Sequence, residues 1–545
     1  MTTVNQPLPG DHQAHWVKAL NTGDLEPGHC KKVRLEGKQI AVFNTRSGLK
    51  ACDNRCPHEG YPLVEGEVSD RCILTCNWHN WKFDLESGEN LYGGDQLRVY
   101  PVVETEDGVW IDIADAPYEY RYKRIVHNLK QAFDDHSYDR LAREIARLKR
   151  IGADPLDVLR LSIEWSYERL EFGWTHAYAA IADWLVLYHE STDDEFRLVC
   201  LLESVAHVAF DVLREPPYGF ADGQQPFNHD AFVAAIENED EAAALAMVRG
   251  GIRSGLSVAQ FEPALTEAAL AHYHDFGHSL IYVSKIANMV DQLGEQVALP
   301  LLLSLVRHII FATREDKIPE FRGYDDALRQ WTQSPALTAA NGIETTPSIT
   351  GLMWHKQSIK SSLNLVVEHQ SQGTDRLYRA LLEANTRNLL LFDVSQQQKI
   401  HVTVSGNINW LDFTHGLTFA TAVYQLCQKY PQHWAKGLLQ MACFLGRNSG
   451  FVLDESDQPK WLSCESADLI EFNELIERAS DHGQDEYIVS IHWIKTVLAG
   501  REMSAVFRDL APLIFSAVDR YISSPLKLKQ TRRTAYQSMQ FVAKE

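Results

Sequence analysis

Cysteine is scarce in this chain, nine residues in 545, too few and too scattered for a disulfide framework in a protein of this length. Long apolar runs are missing as well. The longest, Leu299 to Val306, contains Pro300 and is too short to span a bilayer. Basic residues are outnumbered, 52 against 73 acidic, for a net charge of −21, which argues against nucleic acid or an anionic membrane surface as a partner. Met1-Thr2-Thr3-Val4 begins no charged-then-apolar leader, and no low-complexity tract interrupts the chain. A soluble cytoplasmic protein is expected, with about three or four domains' worth of core.

Two of the cysteines are placed with unusual regularity. Cys56-Pro57-His58 and Cys76-Asn77-Trp78-His79 are ligand pairs separated by seventeen residues. This spacing suits a Rieske [2Fe-2S] cluster, in which two thiolates hold one iron and two imidazoles the other. Cys56 and Cys76 would take the first iron, His58 and His79 the second. Tetrahedral zinc also accepts two Cys and two His, but Cys-x-His is tight against its usual spacing of about two to four residues. The flanks, Glu59-Gly60-Tyr61-Pro62 and Asn80-Trp81-Lys82-Phe83, supply turn residues whose backbone amides can face sulfide and aromatics that can shield a cluster.

Together with Gly37-Lys38-Gln39-Ile40-Ala41-Val42-Phe43 and Gly108-Val109-Trp110-Ile111, these loops make residues from about 13 to 114 resemble a Rieske ferredoxin domain. Respiratory members of that family carry an extra cysteine in each ligand loop. Here those positions are empty of cysteine, and the family's serine and tyrosine donors to the cluster sulfurs have no counterpart, so the resemblance is to the ferredoxin and oxygenase type. Fewer donors imply a potential toward the lower end of a range of roughly −150 to +300 mV. The remaining cysteines, Cys30, Cys52, Cys72, Cys200, Cys427, Cys443 and Cys464, are expected as buried reduced thiols. A redox disulfide between Cys52 and Cys72 is the less favoured alternative.

The texture changes near residue 115. Before it, short alternating runs such as Ile73-Leu74-Thr75 lie between turns and read as small strands. After Pro117 the apolar residues Leu129, Phe133, Leu141, Ile145 and Leu148 recur at helical spacing. Ser257 to Gln260 reads as a capping box, and Gly250-Gly251 and Gly294 as helix stops. The expected architecture is a multidomain chain, a small all-β Rieske domain followed by a large, mainly α-helical domain. Its parts are a flexible tail at 1–12, the Rieske domain at 13–115, a linker at 116–126 and a helical domain at 127–545, with possible halves at 127–336 and 349–545.

A ring-hydroxylating oxygenase would supply a facial triad for mononuclear iron, through Asp-x-x-His-x-x-x-x-His in that family. Asp275-Phe276-Gly277-His278 and Asp412-Phe413-Thr414-His415 both begin this motif, but Val283 and Ala420 stand where the second histidine belongs. The simple assignment fails. The two segments share Asp, Phe, His and Leu in register, as an internal duplication would. Glu203 and His207 share one helix face, as do His274 and His278. The plainer alternatives are helix caps for Asp275 and Asp412 and hydrogen-bonded core residues for the histidines. The segments Trp174-Thr175-His176-Ala177-Tyr178, Phe276 to Tyr282 and Asp412 to Thr418 resemble questin-oxidase-like proteins, a helical family that includes oxygenases linked to Baeyer-Villiger ring cleavage. That resemblance implies pocket positions for His176, His278 and His415.

The expected function is therefore a Rieske oxidoreductase, reduced by an external reductase or ferredoxin. Its cluster would pass electrons to the helical domain for oxygen-dependent oxidation of a small organic substrate at a non-haem iron or diiron site. His278, His415 and His207 are the catalytic candidates, and Glu203, His207, His274, Asp275, His278, Asp412, His415 and His176 the candidate second metal site. No nucleic acid or membrane partner is expected, and a homo-oligomer is possible. The alternative is a non-catalytic electron carrier or redox sensor whose helical region is a docking module.

Overall fold

The computed structural model describes residues 13–331, 351, 356–462 and 469–545. The expected tail at 1–12, Cys464 and the whole stretch between the two expected helical halves, 337–348, lie outside the described residues. By internal contacts the chain divides into two compact units, Met1–Asp157 and Val158–Glu545.

The first unit is the small β domain, with a pair of helices after it. Strands β1 (Trp16–Leu20), β11 (Gly108–Asp112) and β10 (Val102–Thr105) form one antiparallel sheet. A second runs β2 (Cys30–Leu35), β3 (Lys38–Thr45), β4 (Gly48–Asp53) and β9 (Val99–Tyr100). Ile40, Val42, Ala51 and Ile111 alternate inward to make the core beneath them, the period-two pattern that read as strands. A third sheet, β5 (Glu67–Val68), β6 (Ile73–Thr75), β7 (Lys82–Asp84) and β8 (Asn90–Tyr92), has its own core of Leu63, Leu74 and Phe83 around Cys56 and Cys76. The two ligand loops leave β4 and β6. Helices Tyr118–Asp134 and Tyr138–Arg150 follow, so most of the stretch expected as a linker coincides with helix.

This helical pair is tied to the third sheet by charge. Asp95, just after β8, has a fully buried carboxylate that accepts from Arg143 Nε at 2.8 Å and from Arg147 Nη1 at 2.8 Å. A buried carboxylate is tolerated only with such partners, and removing one side of a buried pair costs about 3–5 kcal/mol.

The second unit carries helices and no β-strand among its described residues, with two isolated β-bridges, His274 with Arg314 and Phe392 with Val452. Helices His176–Glu190, His278–Leu293, Trp410–Lys429 and Tyr487–Val506 each pack against two of the others and close a ring. The last is buried on nearly all sides along Val489–Gly500, as expected of a helix at the centre of a bundle. The Ser257–Gln260 capping box and the Gly294 helix stop form as expected. Gly250 and Gly251 do not end a helix. They lie inside Glu241–Arg253, because a Cβ on Gly250 would meet the Gln225 carbonyl at 1.8 Å and one on Gly251 the Phe261 ring at 2.5 Å. These glycines admit close neighbours rather than a left-handed turn. No described helix is long and apolar enough to cross a membrane.

The Asp95 clasp gives a direct test. Asp95→Ala is expected to lower the unfolding free energy of the first unit by about 3–5 kcal/mol, read by chemical denaturation. A loss under about 1 kcal/mol would show that the arginines are not anchored there.

Candidate functional site

The two ligand loops in the first unit share one backbone frame. Cys56 N–H donates to the Tyr61 carbonyl at 2.9 Å and Gly60 N–H returns to the Cys56 carbonyl at 2.8 Å. In the second loop Cys76 N–H donates to the Trp81 carbonyl at 2.8 Å and Asn80 N–H to the Cys76 carbonyl at 2.9 Å. The left-handed residue falls four after the cysteine in both, Gly60 at φ 79 and Asn80 at φ 61. Asn is among the few side-chain-bearing residues that tolerate this region. Only the histidine differs, two residues after the cysteine in one loop and three in the other.

The side chains converge as a cluster requires. Cys56 and Cys76 are buried and near enough for their thiols to hydrogen-bond. Burial, with Cys76 alongside, pushes the Cys56 thiol up to about 12, while the amides of His58 and Glu59 act to lower it. The rings of His58 and His79 lie edge to face at 4.7 Å, and His58 Nδ1 is buried with no hydrogen-bond partner. Paired buried sulfurs, amides aimed at sulfur and an orphaned imidazole nitrogen fit a [2Fe-2S] group. The donor set Cys56, Cys76, His58 and His79 could hold it. Cys52 and Cys72 are buried free thiols, whereas Cys30 is exposed, its Sγ 3.1 Å from the Val64 carbonyl. It sits on the open face of β2, where alternation puts it outward.

The helical unit holds a second convergence. His278 Nε2 lies 2.9 Å from His176 Nε2 and 2.8 Å from His415 Nε2, and one ligand atom from each of the three lies within 4.8 Å of the others. The opposite nitrogens are committed elsewhere. His278 Nδ1 is held by the Asp275 carbonyl, with Asp275 Oδ2 at 3.3 Å, and His415 Nδ1 by the Leu411 carbonyl at 2.6 Å. A donor at Nδ1 fixes the neutral tautomer and leaves a lone pair on Nε2. Two lone pairs at 2.8 Å repel unless a proton or a metal cation lies between them. At a metal–imidazole distance of about 2.1 Å, nitrogens at right angles to one another lie about 3.0 Å apart, close to the 2.9 and 2.8 Å found, whereas tetrahedral positions would set them about 3.4 Å apart.

Two residues absent from the sequence-derived set complete this centre. His492, wholly buried, has its ring 4.9 Å from His176 and 5.1 Å from His415. Its Nδ1 is bonded to the Ile488 carbonyl at 2.6 Å and its Nε2 has no partner. Lys495 Nζ lies 3.4 Å from His415 Nε2. Burial, then repulsion among the clustered rings and Lys495, pushes His176, His415 and His492 well below the ordinary histidine value. Burial likewise brings Lys495 down to about 7. The available signal was a histidine and a lysine three apart in the mainly apolar run from Ile488 to Leu498, whose other polar residues are only Ser490 and Thr496.

Other candidates lie elsewhere. Glu203 pairs with His482 Nε2 at 3.0 Å, and His207 stacks on Tyr487 at 5.1 Å, with Asp211 Oδ1 at 3.7 Å. Asp412 serves a capping box, accepting from Asn409 N–H at 2.9 Å, with Arg447 at 3.5 Å. His274 is buried 5.1 Å from His272, and burial drives it down to about 3. It belongs to the loop that delivers His278.

That loop is anchored by His272, whose Nδ1 meets Asp316 at 2.8 Å and whose Nε2 meets Glu237 at 2.9 Å. Burial opposes its charge, but the two carboxylates raise it to about 9. A raised folded value contributes stability that is complete below the ordinary value near 6.5 and is lost as pH rises through 9. The gap in unfolding free energy between the wild type and His272→Gln is therefore expected to shrink by about 3 kcal/mol from pH 6.5 to 9. A gap that stays flat across that window would refute a charged His272.

Comparison with known proteins assigns the first unit. The Rieske [2Fe-2S] domain family matches residues 15–101. The methanesulfonate monooxygenase ferredoxin subunit of Methylosulfonomonas methylovora is 35% identical over 94 residues, which cover 17% of this chain and 76% of that subunit. The 4beta-methylsterol monooxygenase of Methylococcus capsulatus is 33% identical over 109 residues, 18% of this chain and 29% of that enzyme. The ferredoxin of carbazole 1,9a-dioxygenase from Nocardioides aromaticivorans is 22% identical, with 18% of this chain and 96% of that one covered at a TM-score of 0.17. The chain thus spans under a third of the monooxygenase, and each match reaches under a fifth of this chain. Through its first unit, with the paired Cys and His loops in place, this chain belongs to the Rieske [2Fe-2S] family.

Proposed function

We propose that the protein is a Rieske oxidoreductase whose helical unit uses the electrons at a second metal, for oxygen-dependent oxidation of a small organic substrate. The observation that carries this reading is the meeting of three imidazole Nε2 atoms whose opposite nitrogens, on His278 and His415, are already committed to backbone carbonyls. Cys56, Cys76, His58 and His79 would hold the cluster. His176, His278 and His415 would hold the second metal, with His492 as a fourth donor within reach. When bound, the cluster supplies single electrons and a redox metal at the histidines supplies their use on dioxygen.

The residues themselves do the rest. The carbonyls of Asp275, Leu411 and Ile488 fix ring planes and tautomers, so that the lone pairs are aimed before any metal arrives. The ring set contains no carboxylate, unlike a facial triad of two histidines and one acid. Imidazole-only donors suit iron, copper, nickel or zinc, and the redox partner in the same chain favours iron. The described surroundings, Tyr282 beside His278 at 5.6 Å and the buried His415 and His492, keep bulk water away. An external reductase or ferredoxin would deliver the electrons, and membership of a monooxygenase among the relatives that share the domain supports oxygen as the acceptor.

Metal analysis of protein purified with its cluster intact tests this. More than two irons per chain are expected. His278→Ala should return the count to two, keep the Rieske spectrum, and lower reductase-coupled oxygen consumption by about a hundredfold or more. Iron that stops at two in the wild type, with no other metal present, would leave an electron carrier with a helical docking module as the surviving reading.

A further inference from the structure

We propose that Trp81 is a positioning residue for the cluster histidine His58, fixing its imidazole plane and screening one face from water, and that Gly93 exists to let it do so. This deepens the Rieske reading of the first unit and rests on it.

The indole of Trp81 lies parallel to the His58 imidazole, 4.3 Å between centroids and 9° between planes. The same loop therefore supplies one ligand, His79, and the cover for the other. A Cβ on Gly93 would fall 2.2 Å from Trp81 Cδ2 and 2.6 Å from both Cε2 and Cε3. Cδ2 is bonded to three ring atoms, so a point that close to it lies over the face of the indole. Gly93 also holds φ at 138, a backbone conformation that side-chain-bearing residues rarely adopt. The loop cannot retreat, because Asp95, two residues on, is fixed by Arg143 and Arg147. Phe83 stands at 6.3 Å from the same indole, and Trp81 is itself partly buried.

The consequence is electrostatic. Reduction adds one negative charge to the cluster, and water at the ligand edge favours that charge. An indole in place of water withdraws this support, and the negative face of its π system opposes the added electron. Trp81 thus holds the potential down, in the same direction as the missing sulfur donors.

Midpoint titration of the full-length holoprotein at one fixed pH, with the spectrum of the reduced cluster, tests the proposal. Trp81→Leu should shift the midpoint upward, and Trp81→Phe, which keeps a flat ring, should shift it by less than half as much. Gly93→Ala leaves the indole present but displaces it, and should move the midpoint in the direction of Trp81→Leu. A midpoint unchanged or lowered in Trp81→Leu and Gly93→Ala, at full cluster content, would overturn it. If Trp81→Leu fails to retain the cluster, Gly93→Ala against Trp81→Phe decides by the same rule. A wild type with no Rieske signal would instead overturn the cluster reading itself.

Discussion

A buried imidazole nitrogen that bonds to nothing costs about 1–3 kcal/mol, and among the described residues each of the two histidine sites holds one, while His274, His308 and His433 carry others outside the two ligand sets. His58 Nδ1 and His492 Nε2 have no partner at all, while the Nε2 atoms of His278 and His415 face each other, with Lys495 Nζ 3.4 Å from the latter. A fold can carry such a cost when a cation recovers it. The segments that bring His278, His415 and His492 inward each supply a backbone carbonyl that takes Nδ1 and leaves Nε2 free.

The cluster site was legible in sequence because its parts are local. Two loops seventeen residues apart, each closing on itself through two backbone hydrogen bonds, need little from the rest of the chain. The helical centre is different in kind. His176, His278, His415 and His492 come from four helices that meet only after the bundle packs, and a lone histidine in an apolar helix gives no sign of its partners. His278 and His415 were reached through the two incomplete Asp-x-x-His motifs and His176 through a resemblance of short segments; His492 had no such guide. Glu203 and His207 shared a helix face as expected, yet that face meets His482 and Tyr487. Helical spacing shows which residues are neighbours on one helix, not what the helix faces.

Identical letters also took different backbones. Asp412-Phe413-Thr414-His415 is the first part of a regular helix, in which Asp412 bonds back to Asn409. Asp275-Phe276-Gly277 instead runs through three successive positive φ values, 41, 49 and 81, before His278 begins its helix. The match of Asp, Phe, His and Leu therefore does not extend to conformation. Its outcome is nonetheless common to both, a histidine whose Nδ1 returns to a carbonyl three or four residues earlier.

That left-handed stretch is where the second centre is most demanding. A phenylalanine at φ 49 is strained by its Cβ, and such strain persists only where the surroundings over-determine it. Here they do. The amides of Asp275 and Phe276 bond to the buried Glu315 carboxyl, and Asp275 N–H also donates to Thr313 at 2.8 Å. Gly277 packs so closely that a Cβ would meet Phe419 at 2.4 Å, and His272 is clamped between Asp316 and Glu237. A regular helical approach would carry the residue-275 carbonyl along the helix axis and away from the His278 ring. The turn brings it back to Nδ1, which commits that nitrogen and sends Nε2 toward His176 and His415. His415 and His492 commit Nδ1 to the carbonyl four residues earlier within a regular helix, whereas His278 reaches the carbonyl three residues earlier through this strained turn.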